Sequence, residues 1–187
     1  MTTKAADVVS ILTHDHREVE ELFEQLEAAR PDDVETRRRL TDQAIIELVR
    51  HSVAEEMYLY PATRRFVPDG DKIADRELAD HATVEEIMKD LEEADAADQE
   101  FSTLLARLMT EVRLHVRDEE ENLFPALSRH AGAPELADLG EKVQAAKDRA
   151  PTRPHPSAPD SPTLLKILAP GVGLVDRARD HLSGRGK

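Results

Sequence analysis

The chain has 187 residues, 40% apolar and 34% charged, with a formal net charge of −14. That length builds one domain with a full core and a little left over, while two tyrosines, four phenylalanines and seven glycines speak against sandwiches and barrels and favour helix. The acidic balance disfavours nucleic acid and anionic membrane surfaces as partners, and with no cysteine in the chain any metal must be bound by His, Asp or Glu.

Apolar residues recur at spacings of three and four through residues 6–28, 34–66, 72–94 and 99–129, which predicts four amphipathic helices. Arg30-Pro31-Asp32-Asp33 separates the first two, with Asp32 or Asp33 able to cap the second, and Val67-Pro68-Asp69-Gly70 closes that one. Asp95 to Asp98 offers a turn and cap before the fourth. A fifth, shorter helix is predicted from Pro134 to Lys147, after Gly132 and with proline in its first turn. The predicted fold is all-α: an up-down-up-down four-helix bundle over residues 1–149, with a short fifth helix and a Pro-rich C-terminal tail over 150–187. Five prolines in the twelve residues from Pro151 to Pro162 make that stretch a linker or extended strap. Pro170, Gly171 and Gly173 interrupt the apolar segment beyond it, so only a short helix near 172–182 is expected, packed on the bundle or mediating association. The start MTTKAADVVSILTHDH lacks a basic segment followed by a long apolar one, and no apolar run reaches about 18 residues; a cytoplasmic chain is the expectation.

The chain repeats itself. DHREVEELFEQLE from Asp15 aligns with DHATVEEIMKDLE from Asp80, with seven identities in thirteen positions at an offset of 65. HSVAEEMYLYPATRR from His51 aligns with HVRDEEENLFPALSR from His115, again with seven identities, at an offset of 64. The chain is thus two copies of one helix pair. His16 pairs with His81 and His51 with His115, whereas His14, His130, His155 and His181 have no counterpart. At about 100° per residue, His16 lies at the edge of the face formed by Leu12, Val19, Phe23 and Leu26, and His14 points the other way. The same projection turns His51, His81 and His115 toward the core.

A lone core histidine is usually satisfied by a backbone carbonyl, but four in register ask for another explanation. Each is followed four residues later by a glutamate: Glu20, Glu55, Glu85 and Glu119. At that spacing Cβ atoms are about 5–6 Å apart, so an imidazole nitrogen and a carboxylate oxygen can reach one cation; the alternative is a solvated flanking charge. Glu56, Glu86, Glu120 and Glu121 fall a further 100° or so round and are expected to be exposed. Imidazole and carboxylate without thiolate suit iron, manganese or zinc. Four histidines and at least two carboxylates exceed the needs of one ion, and bundles with Glu and His on facing helices hold such pairs of metals.

On these residues the chain resembles the hemerythrin family, specifically the HHE cation-binding group of actinobacterial type, over about residues 8–147. The shared pattern is His16 on the first helix, HxxxE (His51, Glu55) on the second, His81 on the third and HxxxE (His115, Glu119) on the fourth. The resemblance implies two iron ions, oxo- or hydroxo-bridged, with Glu55 and Glu119 spanning them and the four histidines completing their shells. Where oxygen-carrying hemerythrins have a second histidine one turn after His81, this chain has Glu85, a further candidate ligand; its symmetry mate Glu20 ranks below it. A carboxylate there would stabilise Fe(III) and weaken reversible oxygen binding. Tyr58, seven residues after His51, is a candidate proton donor or third ligand, the alternative being a core tyrosine bonded to backbone; Asn122 takes its place in the other half. Pro61 and Pro125 are expected to end or kink their helices. The function implied is a non-haem di-iron protein that reacts with hydrogen peroxide, oxygen or nitric oxide in catalase-like or NO-peroxidase-like chemistry. A carrier or sensor module without turnover is the alternative, and a metal-free helical adaptor a third. The expected partner is a small molecule (O2, H2O2 or NO), with no nucleic acid and no membrane, and the choice between monomer and homodimer stays open.

Overall fold

The computed structural model describes residues 6–156, 162–183 and 185. Asp7 opens the first helix: its carboxylate accepts from the Ser10 backbone N–H at 2.9 Å, satisfying a free amide of the first turn. Helix α1 then runs Val8–Ala28 and buries the stripe Leu12, Val19, Phe23 and Leu26. Asp33 caps α2, Val34–Ala54, through the Thr36 N–H. The helix passes without a break into a π-helical turn, Glu55–Leu59, and then α3, Tyr60–Phe66. Asp69, left-handed at φ 56°, turns the chain. A Cβ on Gly70 would lie 2.2 Å from the Thr63 carbonyl oxygen, so only glycine can begin α4, Gly70–Glu93, this close. The second copy repeats the scheme with α5, Gln99–Asp118, a π-helical turn Glu119–Leu123, and α6, Phe124–His130. Two further helices follow among the described residues, α7, Ala133–Lys147, and α8, Pro162–Ser183.

Helix α1 packs on α2, α4 on α3 and α5, and α7 lies across α1 and α2. This is the expected four-helix bundle with a fifth helix, and no strand occurs among the described residues. The core is in two layers. Val19, Phe23, Ile45, Val84, Ile87, Leu91, Phe101 and Leu108 belong to one, and Val8, Leu12, Leu59, Tyr60, Leu123, Phe124, Leu127 and Val143 to the other. At about 1.5–3 kcal/mol for each fully buried large side chain, the two can hold a costly polar layer between them. His16 falls between Leu12 and Val19 along α1, and the other repeated histidines fall likewise.

The tail differs from expectation. Helix α8 is twice the length anticipated and runs through Pro170, because its partners outweigh the backbone bond the proline removes. Arg185 lies 2.7 Å from Glu92 and 3.6 Å from Asp42, Arg153 is 2.6 Å from Asp180, and the His155 ring is 2.9 Å from Asp176. A Cβ on Gly173 would meet the Arg149 carbonyl oxygen at 2.5 Å, so the tail docks closer than any other residue would permit. Of the Pro-rich segment, residues 157–161 lie outside the described residues.

Candidate metal centre

The two HxxxE segments sit at the π-helical turns. The Tyr60 N–H bonds to the Glu55 carbonyl and the Phe124 N–H to that of Glu119, five residues back instead of four. Pro61 and Pro125, each one residue later, lack an N–H to continue the ladder, and the wide turn accommodates them without ending the helix. The glutamates are fully buried, and His16, His51, His81 and His115 are nearly so.

Three of the imidazoles are hydrogen-bonded through Nδ1 to a carboxylate, and the fourth, His115, has the Glu77 carboxylate beside its Nδ1 without a hydrogen bond. Nδ1 of His16 is 2.8 Å from Glu120, that of His81 2.9 Å from Glu56, that of His51 3.3 Å from Asp15 and that of His115 3.1 Å from Glu77. A carboxylate at Nδ1 keeps the proton there and leaves the Nε2 lone pair free. Those lone pairs converge: Nε2 of His16 lies 3.3 Å from that of His51, and Nε2 of His81 lies 3.2 Å from that of His115. The Glu55 carboxylate reaches from one pair to the other, with Oε1 3.1 Å from His51 and Oε2 3.4 Å from His81. Glu119 approaches both pairs through the single oxygen Oε2, 3.4 Å from His16 and 3.7 Å from His115, while its Oε1 accepts from the Tyr60 hydroxyl. Both Glu55 oxygens and Oε2 of Glu119 lack any hydrogen-bond donor. Converging lone pairs beside orphaned buried carboxylate oxygens are costly unless a cation sits among them. The donor set therefore fits metal ions: His16, His51, Glu55 and Glu119 converge on one point, and His81, His115 and Glu55 on a second.

Electrostatics point the same way. Six carboxylates (Asp15, Glu55, Glu56, Glu77, Glu119, Glu120) surround the histidines, against Lys147 on Asp15, Arg76 on Glu77 and Arg17 on Glu120. With neutral imidazoles an excess of three negative charges remains. Protons are drawn in to offset it. Burial opposes the charged form of His51, but Glu55 and the bond to Asp15 override it and push the ring up to about 10. Burial likewise opposes a charged His81, and its bonds to Glu55 and Glu56 raise it well above the usual histidine range.

Residues 7–127 match the family described as Hemerythrin HHE cation binding domain. The chain belongs to the hemerythrin HHE family. An uncharacterized hemerythrin-like protein of Schizosaccharomyces pombe is 26% identical over 183 residues, covering 97% of this chain and 89% of its own length. A DNA nickase of Nostoc is 26% identical over 148 residues, 79% of this chain but 41% of that protein, so the chain spans about two fifths of it. In fold, the HHE domain resembles the crystal structure of a hemerythrin HHE cation binding domain-containing protein from Mycobacterium kansasii, with a TM-score of 0.67 and 24% identity over 76% of this chain and 86% of the other.

Within the HHE domain, His16, His51, Glu55, His81, His115 and Glu119 come together, and Glu85 does not join them. Its carboxylate accepts from the His155 backbone N–H at 2.7 Å, and burial pushes it up. Glu20 is taken by Arg113, at 2.6 Å. Tyr58 lies on the outer side, its ring 4.5 Å from the Lys166 ammonium. The tyrosine in the centre is Tyr60, with its hydroxyl 2.8 Å from Nε2 of His81 and 3.3 Å from Glu119. The extra residue in the π turn shifts the helix phase, so a projection at 100° per residue selects the wrong one. Phe124, its repeat mate, stacks on His16 at 5.7 Å. Glu56 and Glu120, expected to be exposed, are largely covered and orient the histidines of the neighbouring helix. His14 is exposed, pairing with Glu18. His14→Ala should leave metal content unchanged, whereas His16→Ala should lose about half of it; metal analysis of the two purified variants checks this, and the reverse result would place α1 half a turn out of phase.

Proposed function

We propose that this HHE domain holds two iron ions and turns over a molecule of two non-hydrogen atoms, hydrogen peroxide foremost. The observation that carries the reading is a cavity of about 20 Å³ lined by His16, His51, His81 and His115 and by apolar residues including Val19, Leu48, Val84, Val112 and Val116. A water needs about 10–15 Å³ by this measure, so the space admits O2, NO or H2O2 and refuses an organic substrate. Two irons would supply reversible one-electron redox steps at this cavity. The chain supplies the rest. Glu55 would span the two positions and Glu119 would join it through Oε2, both bringing compensating charge, while Asp15, Glu56 and Glu120 fix the tautomer and aim of His51, His81 and His16. The valines keep bulk water away.

Tyr60 is on the opposite side of the histidine layer from the cavity, which it does not line. Its hydroxyl therefore acts from below, by donating to Glu119 and steadying that carboxylate. Tyr60→Phe should retain both irons and cost about tenfold in peroxide turnover, the scale seen when an orienting partner is lost; oxygen evolution against iron content measures it, and full turnover in the variant would remove Tyr60 from the machinery. The class of activity is tested by stopped-flow mixing of iron-loaded protein with hydrogen peroxide. Repeated turnover supports the proposal. A stable adduct of the reduced protein with oxygen, released on deoxygenation, would establish a carrier instead.

A further inference from the structure

The internal repeat should give the bundle two equivalent grooves leading toward the centre, one on each side of its approximate twofold axis. The structure treats them differently. Between α1 and α5 lies an open groove of about 280 Å³, lined among others by Glu20, Phe23, Arg113, Arg117 and Glu120. Its floor is His16, Val19, Val112 and Val116, and these four also wall the cavity that the four histidines share. At the repeat-related place, between α4 and α2, Arg153 and His155 of the strap and Arg185, beyond α8, are docked.

The glutamates of the two grooves correspond one to one. In the open groove Arg113 pairs with Glu20 and Glu27, at 2.6 and 2.8 Å. Their repeat mates at an offset of 65, Glu85 and Glu92, are taken by these residues of the tail: Glu85 by the His155 N–H, at 2.7 Å, and Glu92 by Arg153 and Arg185, at 3.3 and 2.7 Å. The walls differ to match. Arg113, Arg117 and Glu121 in the open groove correspond at an offset of 64 to Val49, Val53 and Met57, all buried or partly so in the covered one. One groove is built to be covered and the other to stay wet.

We infer that the α1–α5 groove is the route by which small ligands reach the centre, and that the strap closes the second, symmetry-related route. Arg113 stands at the mouth, 38% exposed at its side chain, and beyond the charged rim the groove ends on Val19, Val112, Val116 and His16, which it shares with the cavity. Of the two kinetic tests, azide binding rests on the iron reading; histidine modification does not.

The chain has no cysteine, so Arg113→Cys carries a single thiol that a bulky methanethiosulfonate reagent can block and dithiothreitol can free. In iron-loaded protein the plug should slow azide association and dissociation alike, by about tenfold, with the equilibrium constant unchanged, because a narrowed path affects both directions. In metal-free protein it should slow carbethoxylation of His16 by diethyl pyrocarbonate relative to exposed His14, read by mass spectrometry. The same label on Arg107→Cys, an exposed position on α5 outside the groove, should do neither. Adding Arg185→Ala to the plugged protein loosens the strap and should return part of the azide rate. If plugging leaves azide kinetics and His16 modification unaltered, the route is overturned. If Arg185→Ala restores nothing, the strap's part in it is overturned. A parent protein that gives no azide band would refute the iron reading, and His16 modification would still decide the route.

Discussion

Glu55→Ala and Glu119→Ala should each yield protein with well under one iron per chain, whereas His51→Ala and His115→Ala should each retain about one. The difference follows from reach. Each imidazole points a single Nε2 at one position, but Glu55 has one oxygen 3.1 Å from His51 and the other 3.4 Å from His81, so it serves both. Removing it takes a ligand and a compensating charge from each position and leaves two cations facing one another with less negative charge between them. The loss of affinity should exceed the roughly 10–100-fold typical of orienting groups, so Glu56→Gln and Glu120→Gln are the comparison, expected to weaken binding within that range. Iron per chain after dialysis, with helix content from circular dichroism to exclude unfolding, measures it. Equal iron content in Glu55→Ala and His51→Ala would remove Glu55 from the bridging position.

Much of this centre is legible in the sequence because the repeat marks it. An offset of 64 or 65 selects four histidines of eight and two HxxxE pairs, and amphipathic periodicity gives helices within a few residues of those observed. Three features escape for physical reasons. The first is the π turn: a wide turn leaves no trace in a pattern read at 3.6 residues per turn, so the pattern selects Tyr58 where Tyr60 stands. The second is the set of carboxylates behind the histidines. A helical wheel places Glu56 and Glu120 outside because it contains one helix, yet each reaches an imidazole on its neighbour, and a signal is available in their recurrence across the repeat. Asp15 is repeated too, as Asp80, but on α4 the task falls to Glu77, one turn earlier, which no symmetry argument would find. The third is the tail, where proline and glycine read as breakers. Glycine at 173 instead allows close approach, Asp176 and Asp180 of α8 pair with His155 and Arg153, and Arg185 just beyond the helix pairs with Asp42 and Glu92.

Withdrawing the metal should lower the melting temperature by roughly 20 °C near neutral pH, and the gap should widen as pH rises. A ligand present at a thousandfold its dissociation constant stabilises the folded state by about 4 kcal/mol, two such sites by about twice that, and each kcal/mol shifts the melting point of a chain this size by about 2–4 °C. The pH dependence comes from the metal-free form. There His51 is pushed up to about 10 by Glu55 and Asp15 against the opposing effect of burial, and His81 moves in the same direction. A group that binds its proton more tightly when folded stabilises the fold fully below its unfolded value, about 6.5, and that contribution is lost as pH rises through the folded one. The metal-free protein should therefore melt at steadily lower temperature from pH 6.5 toward 10, as the cluster gives up the protons that stand in for cations. In the loaded protein Nε2 is engaged by the metal and has no proton to lose over this window, so its melting point should stay level. Differential scanning calorimetry of matched metal-free and iron-loaded samples at pH 6.5, 8 and 9.5 reads both effects. Coincident melting points at every pH would show that no cation is bound among these histidines; a constant gap would show that protons do not compete for Nε2.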